Sequence, residues 1–456
     1  MRKIQRISDL HPTLGFTEFD IFTAYRQSFV TSELGKLYEV LPFSTLSVSL
    51  GLKERSLGRD SYFPPEGKIA LMVLKSYTSL SDKDLIAQLN ANLHYQLFCG
   101  VHIDPLHPLT NFKIVSDIRC EIGKKLDIGS SQQALADHWK PYLEHPSVLL
   151  TDATCYESFI RFPTDVKILW ESVDWVYQKL KFIIKSLKIR MPRTKYDKQH
   201  RRYHGYCKKR KRKKSETRVL KRSLLHLLNK LIGVLEETTR TNVHRLSPFQ
   251  PLFHKRLSVI KKVLHQQTVR FNGGEVKGLI VSIDKDYIRP IVRGKENKRV
   301  EFGAKVNTIQ VDGINFIEHL SFDAFHEGIR IPQCIAGQQT LLRQRVTHLA
   351  ADRIYATNYN RKYCSDPKRK ITTSFIRKGR ASKDEVQAQL MRKLLNKERS
   401  TRLEGSFGTE KQHYSLDKVK ARTKHTEILW IFFGIHTANA VRMISKVEKA
   451  QNKQAA

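Results

Sequence analysis

The chain has 456 residues, 40% of them hydrophobic, enough to bury a substantial core in two or three domains, which excludes a disordered tail. Its 81 Lys and Arg outnumber 44 Asp and Glu, for a net charge of +37 and a pI of about 10.0. An excess of that size attracts a polyanion whatever the fold, and it points to DNA or RNA ahead of an anionic membrane surface. The six cysteines (Cys99, Cys120, Cys155, Cys207, Cys334 and Cys364) contain no CxxC pair, which argues for a reducing compartment and core positions and against a zinc module. The opening MRKIQRISDLHP has no apolar signal core, and the most apolar stretch, ILWIFFGIHTANAV, is short for a bilayer span and contains His436. A cytoplasmic protein without a membrane partner is expected.

From about residue 17 to 130 the pattern is helical. SELGKLYEVLPFSTL, PPEGKIALMVLKSYTSL, SDKDLIAQLNANLHYQLFCG and NFKIVSDIRCEIGKKL carry apolar residues at three- and four-residue spacings, punctuated by Pro and Gly. Ser81, with Asp84 three residues on, is a candidate N-cap for the third of these. Next comes SVLLTDATCYES, an apolar run short enough for a buried strand that ends in Asp152 with no neighbouring cation. From 170 to about 270 the chain becomes long, basic and helical. Its centre, KSLKIRMPRTKYDKQHRRYHGYCKKRKRKKSETRVLKR, holds eighteen Lys or Arg and two acids. A like-charge block is commonly a solvated linker or helix face. Here Tyr196, Tyr203, His204 and Tyr206 lie among the cations, and planar rings beside Arg and Lys suit sugars or unstacked bases while the charges meet phosphates. Arg201, Arg202 and the run Lys208, Lys209, Arg210, Lys211, Arg212, Lys213 and Lys214 are the candidate nucleic-acid contacts. They would position the protein on a backbone without reading bases.

After 270, GLIVSI and AKVNTIQV, flanked by turn residues, predict antiparallel strands, and AGQQTLLRQRV predicts a helix. THLAADRIYATNYN then repeats the earlier device, a short apolar run delivering Asp352. In KERSTRLEGSFGTEKQHYSL, Lys411 follows Glu404 by seven residues, which on a helix returns to nearly the same face with about 20° of drift. Gly405 and Gly408 each cost such a helix about 1 kcal/mol relative to Ala, so close approach of a bulky ligand is their plainest use.

Three acids on two strand ends and a helix suit a hard cation. Magnesium takes oxygen ligands and keeps several waters, so sparse carboxylates shared with a substrate phosphate serve it well. Two such ions can activate an attacking oxygen and stabilise a departing one at phosphorus. Asp165, Asp312, Asp323 and Glu327 read as turn and strand-end acids, and Asp284 and Asp286 as a polar turn. His145, His319, His326 and His348 lack HExxH or comparable spacing and read as structural.

In these residues the chain resembles the DDE transposases of bacterial insertion sequences, in the branch with a helical N-terminal domain before a ribonuclease-H-like (RNase H-like) catalytic domain. The resemblance runs in order through LSDKDLIAQLNANLHYQLFCG, DATCYESFIRFPTD, RPIVRGKENKRVEFGAKV, ADRIYATNYN and LEGSFGTEKQHY. It implies a mixed α+β fold: a helical domain at 1–135 that binds DNA ends, a catalytic domain of mixed sheet flanked by helices at 136–450, and a basic helical insertion at 170–270 within it. It also implies a metal-binding triad of Asp152, Asp352 and Glu404, with Lys411 as an auxiliary phosphate contact. The implied cofactor is a pair of Mg2+ ions, with Mn2+ able to substitute. The implied partners are the terminal inverted repeats, target DNA and a second copy of the chain or a larger assembly. The activity expected is cleavage at transposon ends followed by strand transfer; a nuclease that does not join strands and a DNA-binding relic are the alternatives. Related transposases often carry an Arg one helical turn before the catalytic Glu, but that position here is Ser400. Arg399 and Arg402 lie about 140° and 160° from Glu404 around a straight helix. Lys397, seven residues before Glu404, is the expected substitute.

Overall fold

The helical first third of the chain resolves into eight helices among the described residues: α1 (Thr17–Thr31), α2 (Glu33–Glu39), α3 (Phe43–Ser49), α4 (Pro65–Thr78), α5 (Asp82–Ala91), α6 (Leu93–Phe98), α7 (Lys113–Lys125) and α8 (Ile128–Trp139). The computed structural model describes residues 4–6, 17–54, 61–245, 251–292, 300–376, 378 and 385–455; part of RPIVRGKENKRV, at 293–299, lies outside them. Local chemistry sets the breaks. Pro42 stands at the N-cap of α3 and separates it from α2, since a proline has no N–H to continue a helix. Ser81 caps α5 as expected, its hydroxyl accepting from the Asp84 amide at 3.1 Å. Asn92 ends α5 and caps α6, its side-chain oxygen accepting from His94 N at 2.9 Å. A short antiparallel pair joins β1 (Ile4–Arg6) to β2 (Val101–Ile103).

The central sheet is mixed. Its strands are β3 (Val148–Ser158), β4 (Pro290–Val292), β5 (Val300–Val311), β6 (Ile314–Ser321), β7 (His348–Ala351), β8 (Thr372–Thr373) and β9 (Lys418–Val419). The order is β6–β5–β3–β7–β8, with β4 against β5 and β9 against β3. AKVNTIQV is strand, as expected. It turns into β6 through Asp312 and Gly313, both at positive φ (51° and 85°), the backbone a two-residue I′ hairpin requires. β3 pairs with β7, and β7 with β8, in parallel.

GLIVSI, in contrast, forms no strand. One side chain bonds two of its backbone groups: Gln266 accepts from Ile280 N at 3.0 Å and donates to Gly278 O at 3.2 Å. Ile280 and Ile283 then bury their side chains in a helical core. An apolar run of six residues does not distinguish a strand from a loop pinned by burial.

The chain divides into two compact units. The first comprises Met1–Phe159, Ala304–Ser321 and Phe325–Ala456, the second Ile160–Gly303 and Phe322–Ala324. In the first, α8 meets the sheet through Gln132, which donates to Ile317 O at 3.0 Å and accepts from Ile317 N at 2.6 Å. Helix α13 (Ile331–Leu342) starts earlier than AGQQ, with Pro332 in its first turn, and stops at Arg343 (φ 52°). The later elements are α14 (Asn358–Ser365), α15 (Glu385–Glu398), α16 (Glu404–His413) and α17 (Lys424–Ala455). The stretch around His436 belongs to α17, which is longer than expected. By length and composition alone it is apolar enough to cross a membrane, yet 72% of its apolar window is buried inside the protein. It packs on α4, α7 and β6 as a core helix.

The second unit is built on α9 (Asp165–Leu187), α10 (Tyr196–Lys208), α11 (Lys214–Thr241) and α12 (Pro251–Phe271). Leu169, Val173, Val176, Leu180, Ile183 and Leu187 on α9 face Leu220, Leu224, Leu228, Leu231 and Leu235 on α11. Alternating three- and four-residue spacing keeps both stripes on one side. Thr164 caps α9, and Asp165 in its first turn pairs with Lys221 at 2.7 Å and Arg270 at 2.5 Å.

Candidate active site

Strand register brings the first two acids together. β3 and β7 pair from Val148↔His348 to Thr151↔Ala351, so Asp152 and Asp352 are the next residues on neighbouring parallel strands. Adjacent strands lie about 4.8 Å apart. Asp352 leaves the sheet there, its carboxylate accepting from Arg353 N at 2.6 Å. Asp152 sits inside an eleven-residue strand; the expectation that it ends its strand is corrected, because Ala153 to Ser158 continue it.

Side chains alternate along a strand, so Val148, Leu150, Asp152, Thr154 and Tyr156 share one face of β3. That face meets α15 and α16. Leu150 packs with Ala350, Leu395, Leu403 and Phe407, joined by Val148 and Met391. Further along, Lys411 Nζ donates to Thr154 Oγ1 at 3.0 Å, and the Tyr156 hydroxyl donates to Glu410. Glu404 opens α16, and Lys411 lies two turns later in the same helix, as expected.

Arg399 overturns the straight-helix argument. Residues Arg399–Leu403 form a π-helical turn in which Glu404 N donates to Arg399 O. Hydrogen bonds five residues apart insert one residue into the turn and return Arg399 to the face of Glu404. Arg399 Nη1 donates to Asp152 Oδ2 at 2.9 Å and to Glu404 Oε1 at 2.8 Å. Lys397, the expected substitute, is exposed on α15. Nothing in the residue pattern announces a π turn, which is why the sequence misplaces Arg399.

The electrostatics centre on Asp152. Burial pushes its carboxyl up to about 6, against the opposing pull of the Ala153 amide and Arg399; the charges of Asp352 and Glu327 raise it further. Glu327, read from sequence as a turn acid, therefore belongs to the neighbourhood, with Lys305 Nζ 2.8 Å from it. Among the described residues no three His, Cys, Asp or Glu side chains are grouped to hold a metal ion; the Arg399 guanidinium spans Asp152 and Glu404 instead. The donor set is nonetheless all carboxylate oxygen, the chemistry a hard divalent cation takes. Arg399 Nε is buried and has no hydrogen-bond partner. Asp312 is a turn acid, as expected, held by Lys446 Nζ at 2.5 Å and donated to by the Glu144 amide at 3.0 Å.

The basic candidates fall in the second unit. Arg201, Arg202 and Lys208 lie on α10, Lys209 to Lys213 in the turn that follows, and Lys214 opens α11; all are exposed. Arg212 is partly committed, donating to Tyr206 O at 3.3 Å and Cys207 O at 3.2 Å, where it closes the end of α10. Lys209 pairs with Glu216 at 2.6 Å. The tyrosines are not at the surface with them. Tyr196, Tyr203 and Tyr206 are buried, and Trp170 stacks on Tyr203 with ring centroids 4.9 Å apart. Their rings serve the core, because α10 is amphipathic and its aromatic face is the one turned inward.

Comparison with known families bears on both ends of the first unit. Residues 349–436 match a family described as a transposase DDE domain, and residues 24–120 match one described as a transposase domain. The first match takes in Asp352, Glu404 and Lys411; Asp152 and the basic helices lie outside both. No curated protein and no solved structure matches the chain. The protein is thus an enzyme acting on DNA. The two matches support a DDE-class transposase of insertion-sequence type. Such domains are in general dependent on a divalent metal.

Proposed function

We infer that the protein cleaves a phosphodiester at a transposon end and joins the freed 3′-hydroxyl to target DNA, at a site made by Asp152, Asp352, Glu404 and Lys411. The observation that carries this reading is that Asp152 and Asp352 follow paired residues on two parallel strands and that Arg399 bonds both Asp152 and Glu404 of α16. The strand order β6–β5–β3–β7–β8, with a hairpin on one side and parallel strands on the other, supports an RNase H-like fold for this part of the chain. Magnesium held by the three carboxylates would supply the Lewis acid that in-line displacement at phosphorus needs, and Mn2+ is the expected replacement.

The chain's own groups do the rest. The Arg399 guanidinium keeps Asp152 and Glu404 from repelling one another until a substrate and cation arrive. Lys411, on the Thr154 side of the cleft, offers a point charge to the adjacent phosphate. A Cβ added at Gly405 or at Gly408 would meet no atom within 4 Å. The protein itself thus places no demand for glycine there, which supports their use in admitting DNA to the helix surface. Arg201, Arg202 and Lys208 to Lys214 would neutralise backbone phosphates. The N-terminal helices within 1–135 are the candidate reader of the terminal repeats, and bringing two ends together calls for at least two copies of the chain. Such a protein would work in the bacterial cytoplasm, at the nucleoid.

The test is incubation of a labelled duplex carrying the element's terminal repeat with wild type, Asp152→Asn and Glu404→Gln, in Mg2+ or EDTA. Nicked and joined products from the wild type in Mg2+ alone, and none from either variant despite normal DNA binding, are expected. Equal cleavage by a variant removes that residue from the site. Nicking without joining leaves a nuclease, and binding without nicking a relic.

A further inference from the structure

Glu410 lies six residues after Glu404 on α16 and is fully buried. One carboxylate oxygen accepts from Asn315 Nδ2 at 2.6 Å, and the other accepts from the Tyr156 hydroxyl. Asn315 also donates to Ser406 Oγ at 2.8 Å. Gln310 donates to Asn315 Oδ1 at 2.7 Å and to Ser406 Oγ at 3.3 Å. Asn439 on α17 fixes the Asn315 backbone, accepting from its N–H at 2.9 Å and donating to its carbonyl at 2.6 Å. Helix α16 is thereby bonded through one carboxylate to β3, which carries Asp152, and to β6.

A network of buried polar groups is a poor way to gain stability alone. Apolar side chains of similar volume commonly hold elements together as well or better, because buried charge loses its hydration. Apolar contact is non-directional, however, and lets a helix rotate or slide on a sheet. Hydrogen bonds to both oxygens of one carboxylate do not. Tyr156 is four residues beyond Asp152 on the same strand face, so a fixed Tyr156–Glu410 bond sets where Glu404 and Lys411 fall along that face.

We propose that Glu410 is a positioning residue for phosphoryl transfer: through Tyr156 and Asn315 it fixes the rotation and height of α16, and so places Glu404 against Asp152 and Lys411 against Thr154. The inference rests on the active-site reading above. Glu410 touches no substrate; it acts through its neighbours.

The test compares full-length wild type, Glu410→Gln and Tyr156→Phe. Tyr156→Phe removes one hydrogen bond without altering charge, and carries the test if Glu410→Gln fails to fold. Three quantities are measured well below each melting temperature: affinity for the end-bearing duplex, single-turnover nicking rate, and Mn2+ affinity by electron paramagnetic resonance. A displacement of about 1 Å costs on the order of 100-fold in rate. Expected are nicking rates about 10- to 100-fold lower, DNA affinity near that of wild type, and weaker Mn2+ binding. Variants that melt earlier yet nick and bind Mn2+ like wild type would make Glu410 a stability residue and overturn the proposal. If wild type itself neither nicks nor binds Mn2+, the active-site reading fails, and this inference falls with it.

Discussion

The two units put charge to opposite uses. Around β3 and α16, Glu410 is buried and Asp152 half-buried while Asp352 and Glu404 are exposed, and each has a named neighbour within hydrogen-bond distance. On α10 and the turn into α11, many cations are exposed and most make few bonds. Ordered charge of the first kind suits chemistry, because a reacting phosphorus needs groups within a fraction of an ångström of their places. Loose charge of the second kind suits a phosphate backbone, which rewards the number of cations more than their geometry.

The contrast predicts where a single substitution hurts most. Arg399→Ala removes the cation that joins Asp152 to Glu404 and also opposes the upward shift of the Asp152 carboxyl. Nicking is expected to fall on the order of 100-fold, the usual cost of losing a charged donor at a phosphoryl-transfer site. The acid limb of the pH–rate profile should move as well. Asp152 titrates at about 6 with Arg399 present, and losing a neighbouring cation favours the protonated acid. The limb therefore shifts to higher pH. Arg399→Lys should restore part of the rate, and an unshifted limb in Arg399→Ala would deny any coupling between the two residues.

In the second unit no single residue should matter so much. Replacing Lys208 to Lys214 by neutral residues should weaken binding to all duplexes alike and flatten the dependence of log K on log salt, by about 0.9 for each phosphate left without its cation. The nicking rate of DNA already bound should stay near wild type. A filter-binding salt series decides it: an unchanged slope makes the run a solvated face. Arg212 is the member whose replacement should also lower stability, since it closes the end of α10.

What is legible in the sequence follows the same division. Short apolar runs ending in an acid single out Asp152 and Asp352, which the paired parallel strands β3 and β7 set side by side, since strands buried on both faces leave little room for an acid. Seven-residue spacing places Glu404 and Lys411 on one helix, as α16 does. Thr154 and Tyr156 have a signal too, the two-residue alternation from Asp152, which places them on its face. Arg399 has none, since its position depends on a one-residue insertion in helical hydrogen bonding. GLIVSI misleads because burial of apolar side chains is not the same as strand pairing, and Gln266 bonds Gly278 O and Ile280 N where a neighbouring strand is expected. The tyrosines of α10 mislead because charge density along the chain reads as a surface, whereas a helix divides its residues between two faces.

That division of α10 supports the smallest expected effect. If Tyr203 stacked on nucleobases, its replacement would reduce DNA affinity, since base stacking on an aromatic ring is worth about 1 to 3 kcal/mol. Tyr203 instead lies in the core with its ring against Trp170. Tyr203→Phe keeps that ring, so DNA affinity should change by less than about 2-fold, well under the effect of removing a stacked ring. Tyr203→Ala leaves a cavity beneath Trp170 and should lower the melting temperature, with the cost of truncating a large buried ring at about 3 to 5 kcal/mol. Binding should weaken only to the extent that the protein unfolds. A Tyr203→Ala protein that melts like wild type yet loses DNA would return the aromatic face of α10 to the nucleic acid, and with it the idea that this unit grips bases as well as phosphates.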